Sequence, residues 1–279
     1  MAVDGDGEPP VSMCFPTSRI GDAEQIWLAL LEKGSLPDQD PAALPLSYMV
    51  SPKWLERLRK APETWNNLVH LGIAEYEWHN VLVIDNASYD QKQSENAEKA
   101  AKNAWLASVA CDPNCWALRN LAVLEREAGN NAGAQAYYDK AVALEGAYAD
   151  VALASEYLQY LIACGAHQKA WELYEKMPEN CRADDRICIT TAKAALRLRK
   201  SDYLEAFFAT EHHAISEGGT TLTDLWFGFC ALKLAKERGI ADPTEQELAD
   251  LADEAWDLCP PDASIDFRMS LDRKNKYRI

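Results

Sequence analysis

The chain is short of basic residues, of long apolar runs and of clustered metal ligands, and each shortage excludes a class of protein. Against 44 acidic residues it carries 28 basic ones, a net charge of −16. Nucleic acid and anionic membrane surfaces are bound through an excess of Lys and Arg, so neither is expected as the main partner. The longest aliphatic run, Val81-Leu82-Val83-Ile84, is far too short to span a bilayer. The opening MAVDGDGEPP is acidic and has neither the basic start nor the apolar core of a secretory signal. Eight cysteines are scattered along the chain and none forms Cys-x-x-Cys. Small buried thiols in a reducing cytoplasm account for them best, although Cys111 and Cys115 flank a turn where a disulfide is conceivable. No phosphate loop, nucleophile–base pair or metal-ligand cluster reaches motif strength. The expectation is therefore a chain without catalysis, cofactor or metal.

What is present is helical periodicity, in a composition 48% hydrophobic and 26% charged. The stretch from Cys115 to Tyr148 organises the rest. Leu118, Leu121 and Ala122 give a first helix its apolar face. Gly129 with Asn130 and Asn131 ends that helix, since Gly and Asn tolerate the left-handed conformation of a C-cap. A second helix then sets Ala134, Tyr138, Ala141 and Leu144 on one stripe. Small residues at Ala122 and Ala134 allow close approach, and Tyr138 fills the wider gap. This pattern matches the 34-residue tetratricopeptide (TPR) unit.

Neighbouring segments align on that unit. Leu68-x-x-Leu71-Gly72 gives an earlier first helix, with Trp65 at the unit's first position. Its partner helix appears late, as Ala101, Trp105 and Ser108, so that about seventeen residues are inserted relative to a standard unit, near Asn80–Asn96. That insertion is either a protruding loop or a lengthening of both helices. Downstream, Gly165, Ala170, Tyr174 and Met177 repeat the second-helix pattern, stopped by Pro178. Arg182 to Lys200 and Asp202 to Ile215, the latter containing Ala206, form the next pair, and Thr221 to Arg238 with Pro243 to Leu258 the last. Asp242-Pro243-Thr244-Glu245 reads as a helix start with Asp242 as cap. The expected architecture is an all-α, TPR-like right-handed superhelix of about twelve helices. Residues 1–20 form a leader, and 21–60 hold a helix from Asp22 to about Lys33, a Pro-rich connector and a short helix after Ser51. The repeat array spans 61–259 and a tail 260–279.

Several strings occur here in the order found in one family: Trp116-Ala117-Leu118-Arg119-Asn120-Leu121-Ala122, then Glu217 to Phe227, then Ile265-Asp266-Phe267-Arg268-Met269. They resemble the C-terminal repeat region of a family of uncharacterised bacterial proteins that join a mutarotase-like β-rich domain to TPRs. The likeness covers nearly everything from about residue 22 onward. No stretch of this chain could be the β-rich domain, so any sugar chemistry that the resemblance implies would lie elsewhere or be absent.

TPR arrays present the inner faces of their first helices as a concave groove. The aligned inner positions are Val69, Ile73 and Tyr76, then Trp116, Arg119, Val123 and Arg126, then Ser155 and Gln159. TPRs that clamp a partner's terminal carboxylate are similar only at Asn120. They have Lys and Asn where this chain has Val69 and Ile73, and Arg where it has Glu156. Trp116 is the leading candidate anchor. The sequence points to a non-catalytic cytoplasmic scaffold for a protein or peptide partner, and leaves self-association open. The alternative is an accessory repeat region packing against a separate β-rich carbohydrate-active domain. His212, His213 and Glu217 invite a metal proposal, but adjacent histidines on a helix point about 100° apart and do not readily share an ion. Asp224 and Trp226 fit a helix opening and a buried anchor, and Asp266 with Arg268 fits a tail-docking ion pair.

Overall fold

The computed structural model describes residues 52–84, 91–144, 150–210 and 219–261. These hold twelve α-helices and no strand. They are α1 (Pro52–Arg59), α2 (Trp65–Ile84), α3 (Gln91–Cys111), α4 (Cys115–Glu127), α5 (Asn131–Ala143), α6 (Val151–Ala163), α7 (His167–Lys176), α8 (Glu179–Arg182), α9 (Asp185–Arg197), α10 (Ser201–Phe208), α11 (Gly219–Glu237) and α12 (Glu245–Leu258). The all-α expectation holds. The leader, the expected helix at 22–33, the Pro-rich connector and Asp266–Arg268 lie outside the described residues. The short α8 is an addition that the sequence pattern did not announce.

One turn recurs four times. After α4, Gly129 sits at φ 76°; its N–H donates to Arg126 O (3.0 Å) and that of Asn130 donates to Glu125 O (2.8 Å). This crossed pair satisfies carbonyls that a helix end would otherwise leave open. Gly165 after α6 and Gly239 after α11, both at φ 71°, make the same pair of bonds. After α9 the position is held by Arg199 at φ 56°, with Lys200 N–H donating to Ala195 O (2.9 Å). Glycine reaches this conformation without a Cβ penalty; arginine does not.

The chain divides into two compact units, residues 1–145 and 146–279. In the first, α2 and α3 have 20 and 21 residues, against 13 in each of α4 and α5. The extra residues of the insertion are therefore largely helical. Residues 80–84 continue α2 and 91–96 open α3, so the loop alternative fails there; 85–90 lie outside the described residues. The added turns are packed, with Ser94 buried and its Oγ 2.8 Å from His79 Nδ1. The core below them joins Val69, Ala101, Trp105, Ala117, Leu121 and Leu124. Three polar side chains at it are paired: Trp105 Nε1 donates to Val69 O (3.2 Å), Ser108 Oγ to Trp65 O (2.7 Å) and Asn114 Nδ2 to Ser108 Oγ (3.0 Å). Asn114 Oδ1 also caps α4 by accepting from Ala117 N–H (2.8 Å). α1 is fastened to α2 through Arg59, which donates from Nε and Nη2 to the two oxygens of buried Glu75 (2.6 and 2.9 Å). As expected, Ala122, Ala134, Tyr138 and Ala141 are fully buried between α4 and α5.

The second unit packs α9 against both α6 and α7, and α11 against α12. Aromatic rings link α7, α10 and α11 in sequence. Trp171 meets Tyr203 edge-on (5.2 Å), Tyr203 stacks on Phe207, Phe207 meets Phe208, and Phe208 meets Trp226 (5.1 Å). Ala206 is exposed; Leu204 takes the buried position four residues after the cap. α10 is described only to Phe208, and 211–218 lie outside the described residues. α12 begins two residues later than expected. Thr244 and Glu247 form a reciprocal capping box, with Glu247 N–H donating to Thr244 Oγ1 (3.2 Å) and Thr244 N–H to Glu247 Oε2 (2.7 Å). Two reciprocal bonds outcompete the single cap that Asp242 could offer.

Candidate partner-binding surface

Seven of the nine aligned inner positions fall in the first unit, on α2 and α4. Trp116, Ile73 and Tyr76 pack against the same cluster that holds Val69 and Trp105, each leaving part of its side chain exposed. Arg119, Val123 and Arg126 continue the Trp116 stripe along α4 at three- and four-residue spacing, Arg126 being exposed and the other two half-buried. Val69 is fully buried among Ala117, Leu121 and Trp105. It belongs to the interior, in the cluster that α2 shares with α3 and α4. Six of the seven residues therefore offer surface.

The two helices are tied where that surface begins. Tyr76 donates its hydroxyl to Glu127 at the end of α4. Burial first, and then the Glu127 carboxylate, push the Tyr76 pKa upward, so the phenol stays protonated. Its ring lies 5.9 Å from that of Trp105 and 6.0 Å from that of His79. Arg119 donates from Nη1 to Asn120 Oδ1 (3.0 Å). On another side of α4, Lys102 reaches Glu125 (2.6 Å); this bond holds the Glu125 carboxyl below its ordinary range and the Lys102 ammonium above its own. Glu127 and Lys102 were not singled out from sequence. Their roles depend on which helix faces α4, and helical spacing does not encode that.

Ser155 is buried on α6, and exposed Gln159 donates to it (3.3 Å). Both belong to the second unit. Asp224 is exposed on α11, and Trp226 is half-buried, its Nε1 donating to Cys259 O (2.8 Å). His212, His213 and Glu217 lie outside the described residues. Among the described residues no group of three His, Cys, Asp or Glu side chains could hold a metal ion. No described helix is long and apolar enough to cross a membrane. Cys111 and Cys115 are free thiols. Of the described cysteines only Cys181 and Cys230 are buried, so the small-hydrophobe account covers part of the set.

No protein-family model matches the chain, and no curated protein matches it. The resemblance to TPRs and to the bacterial repeat family therefore rests on the residues quoted for it.

Proposed function

We propose that the protein is a non-catalytic interaction scaffold of TPR-type hairpins, and that it captures a protein or peptide partner on the surface formed by Ile73, Tyr76, Trp116, Arg119, Val123 and Arg126. The observation that supports this reading is the shared footing of Ile73, Tyr76 and Trp116. Side chains from two helices rest on one buried cluster while part of each faces outward. Partly exposed aromatic anchors on a rigid base lose little conformational freedom when a partner covers them, which is the usual basis of a binding hot spot. Arg119 and Arg126 place two cations on this strip in a protein of net charge −16. The matching partner carries apolar anchors and one or two carboxylates; a polyanion would meet a repulsive surrounding field.

The test is the Trp116→Ala, Arg119→Ala double variant, used as bait in source-cell extract beside the parent, with helicity of both checked by circular dichroism. Loss of a central anchor costs about 2 kcal/mol or more, so a partner recovered by the parent should fall to background with the folded variant. Equal recovery by a folded variant would remove this surface from consideration.

A further inference from the structure

The second unit contains a cleft of about 630 Å³ between the end of α6, the start of α7, the later half of α9 and the early half of α11. That volume is within the range of small-ligand sites. Its apolar lining includes Ile162, Leu196 and Leu225, and its charges come from Lys193 and Arg197 on α9, Asp224 on α11 and Glu245 at the start of α12. On α9, Lys193 and Arg197 stand one turn apart. Arg197 is already engaged, donating to Glu245 Oε2 (2.8 Å). Lys193 makes no hydrogen bond or ion pair among the described residues, and neither does Asp224 on α11. These two opposite charges line one cleft yet do not pair with each other. His167 adds a third unmatched group, since its Nδ1 is shielded from solvent and has no hydrogen-bond partner among the described residues.

A cation and a carboxylate on separate helices, each without a partner among the described residues and with leucines beside them, form the complement of a zwitterion with an apolar body. We propose that this cleft binds a small zwitterionic molecule of the amino acid or dipeptide class. Its carboxylate is held by Lys193, its ammonium by Asp224, and its side chain lies against Leu196 and Leu225. Charge-assisted hydrogen bonds at both ends orient the ligand, and the apolar body supplies the contact area. The site lies wholly within the second unit and does not depend on the surface proposed above.

The experiment titrates the full chain with leucine, with leucyl-leucine and with N-acetyl-leucinamide, which has the same side chain and no charge, reading amide shifts by NMR. Binding of either zwitterion without the blocked compound supports the site. The tighter of the two zwitterions says whether free amino acid or peptide is the better ligand. Lys193→Glu and Asp224→Lys, both at exposed positions, should each weaken binding about tenfold. The double exchange should restore it, because a zwitterion can enter in the reverse sense. No response to either zwitterion, equal response to the blocked compound, or single variants that bind as the folded parent does would each overturn the proposal.

Discussion

Gly72 of α2 lies directly beneath the indole of Trp105 on α3. A Cβ built on Gly72 would stand 2.7 Å from Trp105 Cε2 and nearer still to Nε1 and Cδ1. Trp105 is only 3% exposed and is anchored by its bond to Val69 O, so it has little room to withdraw. In an unconstrained helix, Gly→Ala gains about 1 kcal/mol. Here overpacking should outweigh that gain, and we expect Gly72→Ala to destabilise by about 1–3 kcal/mol in a denaturant titration. A variant as stable as the parent would show that the two helices can part at no cost.

Arg199 tests the shared turn. Its left-handed backbone is strained for any residue with a Cβ, while its guanidinium bonds Asp242 and, from Nη2, Pro243 O at 2.6 Å. Arg199→Ala loses those bonds and keeps the strain; Arg199→Gly loses them and relieves it. The glycine variant should therefore be more stable than the alanine variant by about 1 kcal/mol. Comparing the two removes the side-chain contribution, and equal melting would mean that the turn carries no strain.

His70 on α2 is 3% exposed, its Nε2 has no hydrogen-bond partner among the described residues, and burial pushes its pKa down to about 4. The unfolded chain binds a proton at the ordinary value of 6.5 and the folded chain resists it. The sign follows: the neutral imidazole costs nothing above pH 6.5, and stability is lost as pH falls from there toward about 4. Between pH 7.5 and 5.5, where carboxylates stay charged, the loss should be about 1.4 kcal/mol. His70→Leu should remove that slope whatever it does to absolute stability. An unchanged slope would assign the effect to other groups.

The lengthened hairpin predicts a pattern of protection. With Ser94 and Ala97 buried against α2, cleavage at Lys92 by limited trypsin digestion should be slow compared with cleavage at exposed Lys60, outside any helix. Early cleavage at Lys92 would mean that the first turns of α3 open easily.

How far the sequence could be read depended on whether each signal was local. The α4–α5 hairpin was legible because its glycine, its caps and its small residues lie within one stretch. The α9–α10 hairpin hid two of the same marks, with Arg199 where glycine stands elsewhere and Leu204 where alanine does. At α12 two capping signals overlapped, and a choice between Asp242 and Thr244 requires knowing that Asp242 is already bound to Arg199. In the candidate surface, the α4 stripe followed from spacing alone. The burial of Val69 did not, since it depends on how α3 and α4 pack against α2.

The packing order also has a kinetic meaning. Within each unit the main contacts join helices close in the chain: α2 with α3, α3 with α4, α4 with α5, and α9 with α6 and α7. Little of the chain must be looped out before a contact forms, so the entropy of closure is small and collapse can begin at any hairpin. Such a molecule assembles like a zipper, each closed turn lowering the barrier to its neighbour, and it opens from whichever hairpin is weakest.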